Sequence, residues 1–212
     1  EARMNLLLDH PNVVDVVRYG VSAKGHHTIV MELLQGASLA DVLHQEAWLP
    51  WERAVHIAIE LADALGHAHG RRVVHRDIKP DNILVDSSGE PKIIDFGVAK
   101  ATNQQLTDKT LVTQVGRFIG TPAYMSPEQA DLKATDIDTR TDVYALGVVT
   151  YEVLTGFPPF DPQTLRDAGL EKMREIIRSQ PPPKPSTQLS SIDDDEAKKI
   201  AESHQIQISA LA

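Results

Sequence analysis

The sequence predicts an α+β fold, with a small β-rich part followed by a larger helical part. Two observations point there. Short β-branched and aromatic runs at residues 13–19 and 28–34 stand near the start. Apolar residues at helical spacing then dominate residues 50–70 and 141–154.

In chain order, residues 1–8 read as the end of a helix closed by His10-Pro11, because the residue before a proline disfavours α geometry. The runs 13–19 and 28–34 form strands joined by a hairpin at Ser22-Ala23-Lys24-Gly25. Ser38 caps a short helix through about Gln45. Pro50 opens a longer helix, with Ala54, Ala58, Leu61, Leu65 and Ala68 on one face, and Gly70 stops it. Residues 83–85 and 92–94 are short strands around a turn at Ser87-Ser88-Gly89-Glu90. Residues 98–120 are polar and aperiodic, the pattern of a mobile loop. Residues 141–154, with Val143, Ala145, Leu146, Val148, Val149 and Val153, predict a buried helix ended by Gly156. Residues 163–179 predict one amphipathic helix, terminated by Pro181-Pro182-Pro183. From Ser186 the chain is polar, and Asp193-Asp194-Asp195-Glu196 caps a terminal helix. No internal repeat is visible.

Composition narrows the class. A chain of 212 residues with 42% apolar residues fits one soluble domain, or two, with a sizeable core. No run reaches the roughly 18 apolar residues of a membrane helix, and the start, Glu1-Ala2-Arg3, has no signal-peptide pattern. With no cysteine there are no disulfides or thiolate metal sites, and a cytoplasmic location is expected. The net charge of −9 argues against nucleic-acid partners, which require a basic surface. The nine histidines lack metal-ligand spacing and read as surface or structural positions.

The chemistry is concentrated in His75-Arg76-Asp77-Ile78-Lys79-Pro80-Asp81-Asn82 and Asp95-Phe96-Gly97. These two stretches offer a proton acceptor, a cation and two oxygen ligands. Phosphoryl transfer needs these to aim a hydroxyl and neutralise spreading charge. Their spacing matches the catalytic and metal loops of protein kinases, with Ile78 where leucine is common. The chain therefore resembles the eukaryotic-type protein kinase family from Glu1 to about Arg178. Its Gly120-Thr121-Pro122-Ala123-Tyr124-Met125-Ser126-Pro127-Glu128-Gln129-Ala130 is similar to bacterial members.

The resemblance implies a protein-kinase-like fold in three parts. Residues 1–34 would be a remnant of the small lobe, with a helix end, two strands and the hinge. Residues 35–185 would form the helical lobe, and residues 186–212 a polar C-terminal segment, partly helical or disordered. It implies a serine/threonine protein kinase that moves the ATP γ-phosphoryl group to protein hydroxyls with Mg²⁺. The expected partners are protein substrates, this chain's own parent included through autophosphorylation.

By the same resemblance Asp77 is the catalytic base and Lys79 neutralises γ-phosphate charge. Asn82 and Asp95 hold the metal, which prefers hard oxygen ligands. Met31 is the gatekeeper before the adenine pocket. There the backbone of Glu32 and Leu34 reads the base, Leu84 forms the floor and Asp41 reaches the ribose. Side-chain identity at Glu32 and Leu34 then matters little. Arg76 senses phosphate on the activation segment, with Thr113 as first choice of phosphosite and Thr110 as second. Thr121 sits near Asp77 and helps admit Ser or Thr hydroxyls. Glu128 closes the segment, with Ser126 in place of the usual alanine. Asp142 accepts backbone N–H groups of the catalytic loop. Glu1, nine residues before His10, is placed to pair with an ATP-binding lysine.

Some family features do not appear. There is no Gly-x-Gly-x-x-Gly loop, no Val-Ala-x-Lys strand, no arginine placed to pair with Glu128, and no recognisable family helix after Arg178. The sequence-based expectation is thus a fragment of a longer kinase, itself a poor binder of ATP. The rival readings are a pseudokinase or scaffold that binds partners without catalysis, and a small-molecule kinase of the same fold. Intact Asp77, Lys79, Asn82 and Asp95 oppose the first, and the Thr121 docking segment opposes the second.

Overall fold

The computed structural model describes residues 8–22, 25–46, 49–96, 122–131 and 137–190. Strand β1 (Val16–Val21) pairs antiparallel with β2 (His27–Met31) in a separate two-stranded sheet. The expected first strand begins three residues late because Val13 and Val14 pair elsewhere. Val14 N–H donates to Ile93 at 2.9 Å, and Ile93 N–H donates to Asn12 at 2.8 Å. The expected second strand likewise stops at Met31, leaving residues 32–35 as a connection.

A second sheet, in the order β3-β4-β5, is built from β3 (Gly36–Ser38), β4 (Ile83–Asp86) and β5 (Pro91–Ile93), all antiparallel. Gly36 is required there. A Cβ at this position would lie 2.2 Å from the Val85 carbonyl oxygen, so the two backbones approach only without a side chain.

Helix α1 (Leu39–Glu46) starts where Ser38 Oγ accepts the Asp41 N–H at 3.0 Å, the expected cap. Helix α2 (Trp51–Gly70) buries Ala54, Ile57, Leu61, Ala64, Leu65 and Ala68 along one face. The short α3 (Pro127–Ala130) follows a 3₁₀ turn at Pro122–Tyr124. Helix α4 (Thr139–Thr155) is capped by the Asp138 carboxylate and ends at Gly156, whose φ of +80° fits the left-handed cap. The main core lies between α2, α4 and the second sheet, with Leu39, Leu49, Ile57, Leu61, Ile78, Ile83 and Ile93 fully enclosed.

Two expectations fail here for local reasons. Val143 is 62% exposed, because it lies off the face of α4 that buries Thr141, Asp142, Ala145, Val148, Val149 and Val153. The single helix expected over 163–179 is two, α5 (Pro162–Asp167) and α6 (Leu170–Ser179). Gly169, at φ +77°, breaks the ladder between them. These two helices and α3 enclose a smaller core of Ala123, Ala130, Leu165, Met173, Ile176 and Ile177. Helix α7 (Pro185–Ser190) follows the proline run. Among the described residues, no helix is long and apolar enough to cross a membrane.

Leu61 is 1% exposed and Val143 62%. Leu61→Ala is therefore expected to lower unfolding free energy by about 2–5 kcal/mol. Val143→Ala should change it by no more than about 0.5 kcal/mol. Urea unfolding of both variants checks this, and comparable losses would contradict the assigned helix faces.

Candidate active site

A buried carboxylate supports the candidate loops from behind. Asp142, in the first turn of α4, is fully enclosed. Its Oδ1 accepts the Arg76 N–H at 2.7 Å, and its Oδ2 accepts the His75 N–H at 2.8 Å. The His69 Nε2–H, from the last turn of α2, donates to the same Oδ2 at 2.8 Å. Burying a charge is costly unless it is hydrogen-bonded, and these donors satisfy it.

The carboxylate stabilises an unusual backbone. Arg76 has φ +68° and Asp95 has φ +62°, both left-handed without being glycine. Such a conformation costs a residue with a Cβ roughly 1–2 kcal/mol. Arg76 is fixed on both sides of its α-carbon. Its N–H meets Asp142, and its carbonyl accepts Gln129 Nε2–H at 2.8 Å.

His75 carries the connection to the second loop. Asp77 N–H donates to its Nδ1 at 3.2 Å, and its Nε2–H donates to the Ile94 carbonyl at 2.9 Å. That pattern defines a neutral ring with its proton on Nε2. The ring also meets Phe96 edge-on, with centroids 4.8 Å apart. Burial pushes the His75 pKa down, opposed by the Ile94 hydrogen bond and by nearby Asp142.

In front of this frame the Asp77 carboxylate faces solvent. Asn82 Nδ2–H donates to the Asp77 carbonyl at 2.8 Å and to its Oδ2 at 3.1 Å. Lys79 Nζ stands 3.4 Å from the same Oδ2. A 3₁₀ turn at Pro80–Asn82 folds the loop back so that Asn82 accepts the Ile94 N–H at 3.0 Å. Ile94 thus touches both loops, and Asp95 follows it directly. Asp77, Lys79, Asn82 and Asp95 are brought onto two loops that share hydrogen bonds.

The donor set fits magnesium. The amide oxygen of Asn82 and the carboxylate of Asp95 are hard ligands. An ion that keeps its remaining positions for phosphate oxygens and water needs only one or two such groups. Among the described residues, no group of three or more His, Asp or Glu side chains could hold a metal by itself.

The candidate nucleotide residues lie along the sheets. Met31 ends β2, and Glu32 and Leu34 lie in the connection to β3. Leu84 sits in the middle strand of the second sheet, opposite Ser38 and Lys92. The side chain of Glu32 is engaged. Its Oε1 accepts Lys92 Nζ at 2.7 Å and the Asp15 N–H at 2.9 Å. Asp41 is also engaged, since its Oδ2 accepts the Ser38 hydroxyl at 2.6 Å within the α1 cap.

Glu128 accepts the Thr141 hydroxyl at 2.8 Å. Ser126 caps α3 in a reciprocal box with Gln129, which explains a serine there. Tyr124 OH donates to Glu152 at 2.5 Å. Burial raises the Glu152 pKa, and Asp81 adds to the rise. Glu1, Gly97, Thr110, Thr113 and Thr121 lie outside the described residues. Sequence reasoning quoted His75 without giving it a role, and did not foresee Gln129, Thr141 and Lys92 as supports of these segments. Only Gln129 carried a readable signal, the capping-box spacing from Ser126.

The chain is similar to known proteins. The family described as the protein kinase domain matches residues 1–206. A serine/threonine-protein kinase, PknB, of Mycobacterium leprae is 38% identical over 197 residues, covering 91% of this chain and 30% of that protein. A serine/threonine-protein kinase of Myxococcus xanthus is 38% identical over 187 residues, covering 86% of this chain and 33% of that protein. A probable serine/threonine-protein kinase of Clostridium perfringens is 42% identical over 154 residues, or 73% of this chain and 21% of that protein. The chain therefore spans a third or less of the length of these relatives.

The lowered His75 pKa sets a pH dependence. Between the folded value and the ordinary value of about 6.5, the unfolded chain binds the extra proton. The stability from this site is complete above that ordinary value and is lost as pH falls toward the folded one. The melting temperature is expected to drop between pH 7.5 and 5.5. His75→Gln, which cannot charge, should show a flatter slope in scanning calorimetry at matched ionic strength. An identical slope would contradict the assignment.

Proposed function

This chain belongs to the protein kinase domain family, and from that premise we propose that it is the catalytic part of a serine/threonine protein kinase. The reaction is transfer of the ATP γ-phosphoryl group to hydroxyl groups of protein substrates, autophosphorylation among them. The relatives named as serine/threonine-protein kinases support this reading. The single observation that carries it is the pair of hydrogen bonds at Ile94, whose carbonyl accepts from His75 and whose N–H donates to the Asn82 carbonyl, setting the Asp77 loop beside Asp95.

Asp77 accepts or orients the proton of the substrate hydroxyl. Its solvent-facing carboxylate is oriented by the Asn82 amide and lies 3.4 Å from the Lys79 ammonium. Lys79, close enough to shift from Asp77 to an incoming phosphate, neutralises charge there. Asn82 and Asp95 would hold Mg²⁺, which would supply positive charge to offset that of the phosphate groups. The backbone of Glu32 and Leu34 reads adenine beside Met31, with Leu84 beneath it. Asp41 reaches the ribose with the carboxylate whose Oδ2 accepts the Ser38 hydroxyl.

Arg76 is the receptor for phosphate on Thr113 or Thr110, and Thr121 assists at the substrate hydroxyl. Glu128 and Asp142 act structurally, through Thr141 and through the loop N–H groups. Residues 1–34 serve the nucleotide side, residues 35–185 the helical lobe, and 186–212 a polar extension. A cytoplasmic location suits ATP as donor.

The test is phosphoryl transfer from labelled ATP to a generic protein acceptor by the full-length protein. Asp77→Asn is expected to lower kcat by roughly 10²–10⁴-fold with ATP binding retained. Asp95→Asn should weaken the dependence on Mg²⁺ and lower activity at any magnesium concentration. Phosphoserine or phosphothreonine produced at undiminished rate by Asp77→Asn would refute the reading.

A further inference from the structure

We propose that the Lys92–Glu32 ion pair is a positioning device for the nucleotide, fixing the purine-reading segment to the strand that leads into the metal loop. The inference rests on the reading of residues 31–34 as the adenine-binding segment. Lys92 is in this account a positioning residue, because it acts through Glu32 and not on the nucleotide.

The geometry is unusually complete for a partly exposed pair. Lys92 Nζ lies 2.7 Å from Glu32 Oε1, and the two side chains are only 23% and 31% exposed. The same Oε1 accepts the Asp15 N–H at 2.9 Å, while Glu32 N–H donates to the Asp15 carbonyl at 2.9 Å. Backbone and side chain of Glu32 are thus tied to the residue before β1, and the lysine closes the arrangement from β5. An ion pair standing alone at a surface contributes little. This one fixes a peptide unit whose carbonyl must face a purine edge, so its effect falls on orientation. The Lys92 hydrogen bond, and after it the Asp15 N–H, hold the Glu32 carboxyl below its usual range.

The placement of Lys92 extends the effect to the other end of the nucleotide. Its cross-strand partner is Leu84, the candidate floor of the purine pocket. Two residues further on, Ile94 bonds to His75 and Asn82, and Asp95 follows. A strand of three residues, β5, therefore ties the purine end of the site to its phosphate end. Strand and connection can shift relative to each other once the lysine is lost.

The experiment measures kcat, KM for ATP and Kd for Mg-ADP in the full-length protein and its Lys92 variants. Lys92→Met is expected to raise KM and Kd about tenfold, the weight of one charge-assisted hydrogen bond, while kcat at saturating ATP stays within about twofold. Lys92→Arg should restore KM to within about twofold, because a guanidinium still reaches the carboxylate. Lys92→Gln, which keeps a hydrogen bond without the charge, should fall between them and serves if Lys92→Met does not fold. Unchanged KM in Lys92→Met or Lys92→Gln, or equal losses in kcat and kcat/KM, overturns the proposal alone. An unsubstituted protein that neither binds Mg-ADP nor transfers phosphate overturns the kinase reading and this proposal with it.

Discussion

The site depends on one buried negative charge. Asp142 lies at the first turn of α4, where the helix dipole favours an anion. Its two oxygens collect donors from the end of α2 and from two successive loop peptides. Without that charge, the left-handed Arg76 backbone would keep only the Gln129 hydrogen bond at its carbonyl against its strain. With it, residue 77 is delivered to the surface at a fixed angle from a frame built of helix. The carboxylate thus converts the packing of α2 against α4 into the geometry of a solvent-facing acid.

His75 transmits the same constraint sideways. A neutral ring can accept at one nitrogen and donate at the other, and both are used, toward Asp77 and toward Ile94. Asn82 repeats the arrangement at the far end of the loop, donating to Asp77 and accepting from Ile94. Two polar residues therefore tie the two loops together around a hydrophobic support of Ile78, Ile83 and Phe96. The chain as a whole carries a net charge of −9. On the proposed function, a phosphate meets the local cations at Lys79 and Arg76, because at short range nearby charges outweigh distant, screened ones.

Much of this was legible in the sequence because it is local. The spacing of residues 75–82 and 95–97 declared the chemistry, helical periodicity declared α2 and α4, and Ser38 and Gly156 marked helix ends correctly. What was not legible is what joins distant residues. The His69–Asp142 bond spans 73 positions and the Lys92–Glu32 bond 60, and no spacing rule covers such separations, whereas the Asp142 bonds to the His75 and Arg76 N–H groups were expected from the family resemblance. The break at Gly169 was missed because one glycine is tolerated within a helical pattern. Only its positive φ distinguishes a boundary from an interruption. Val143 was misassigned because an apolar run does not say which residues of a helix face inward.

The most direct measurement is residue-resolved amide hydrogen exchange at His75 and Arg76 in the unsubstituted protein and in Asp142→Asn. Both amides are expected to exchange slowly for loop positions, and to speed up at least about tenfold in the variant. The core amides of α2 around Leu61 should keep their protection. Equal exchange at His75 and Arg76 in the two proteins would contradict the claim that this carboxylate holds the loop in place.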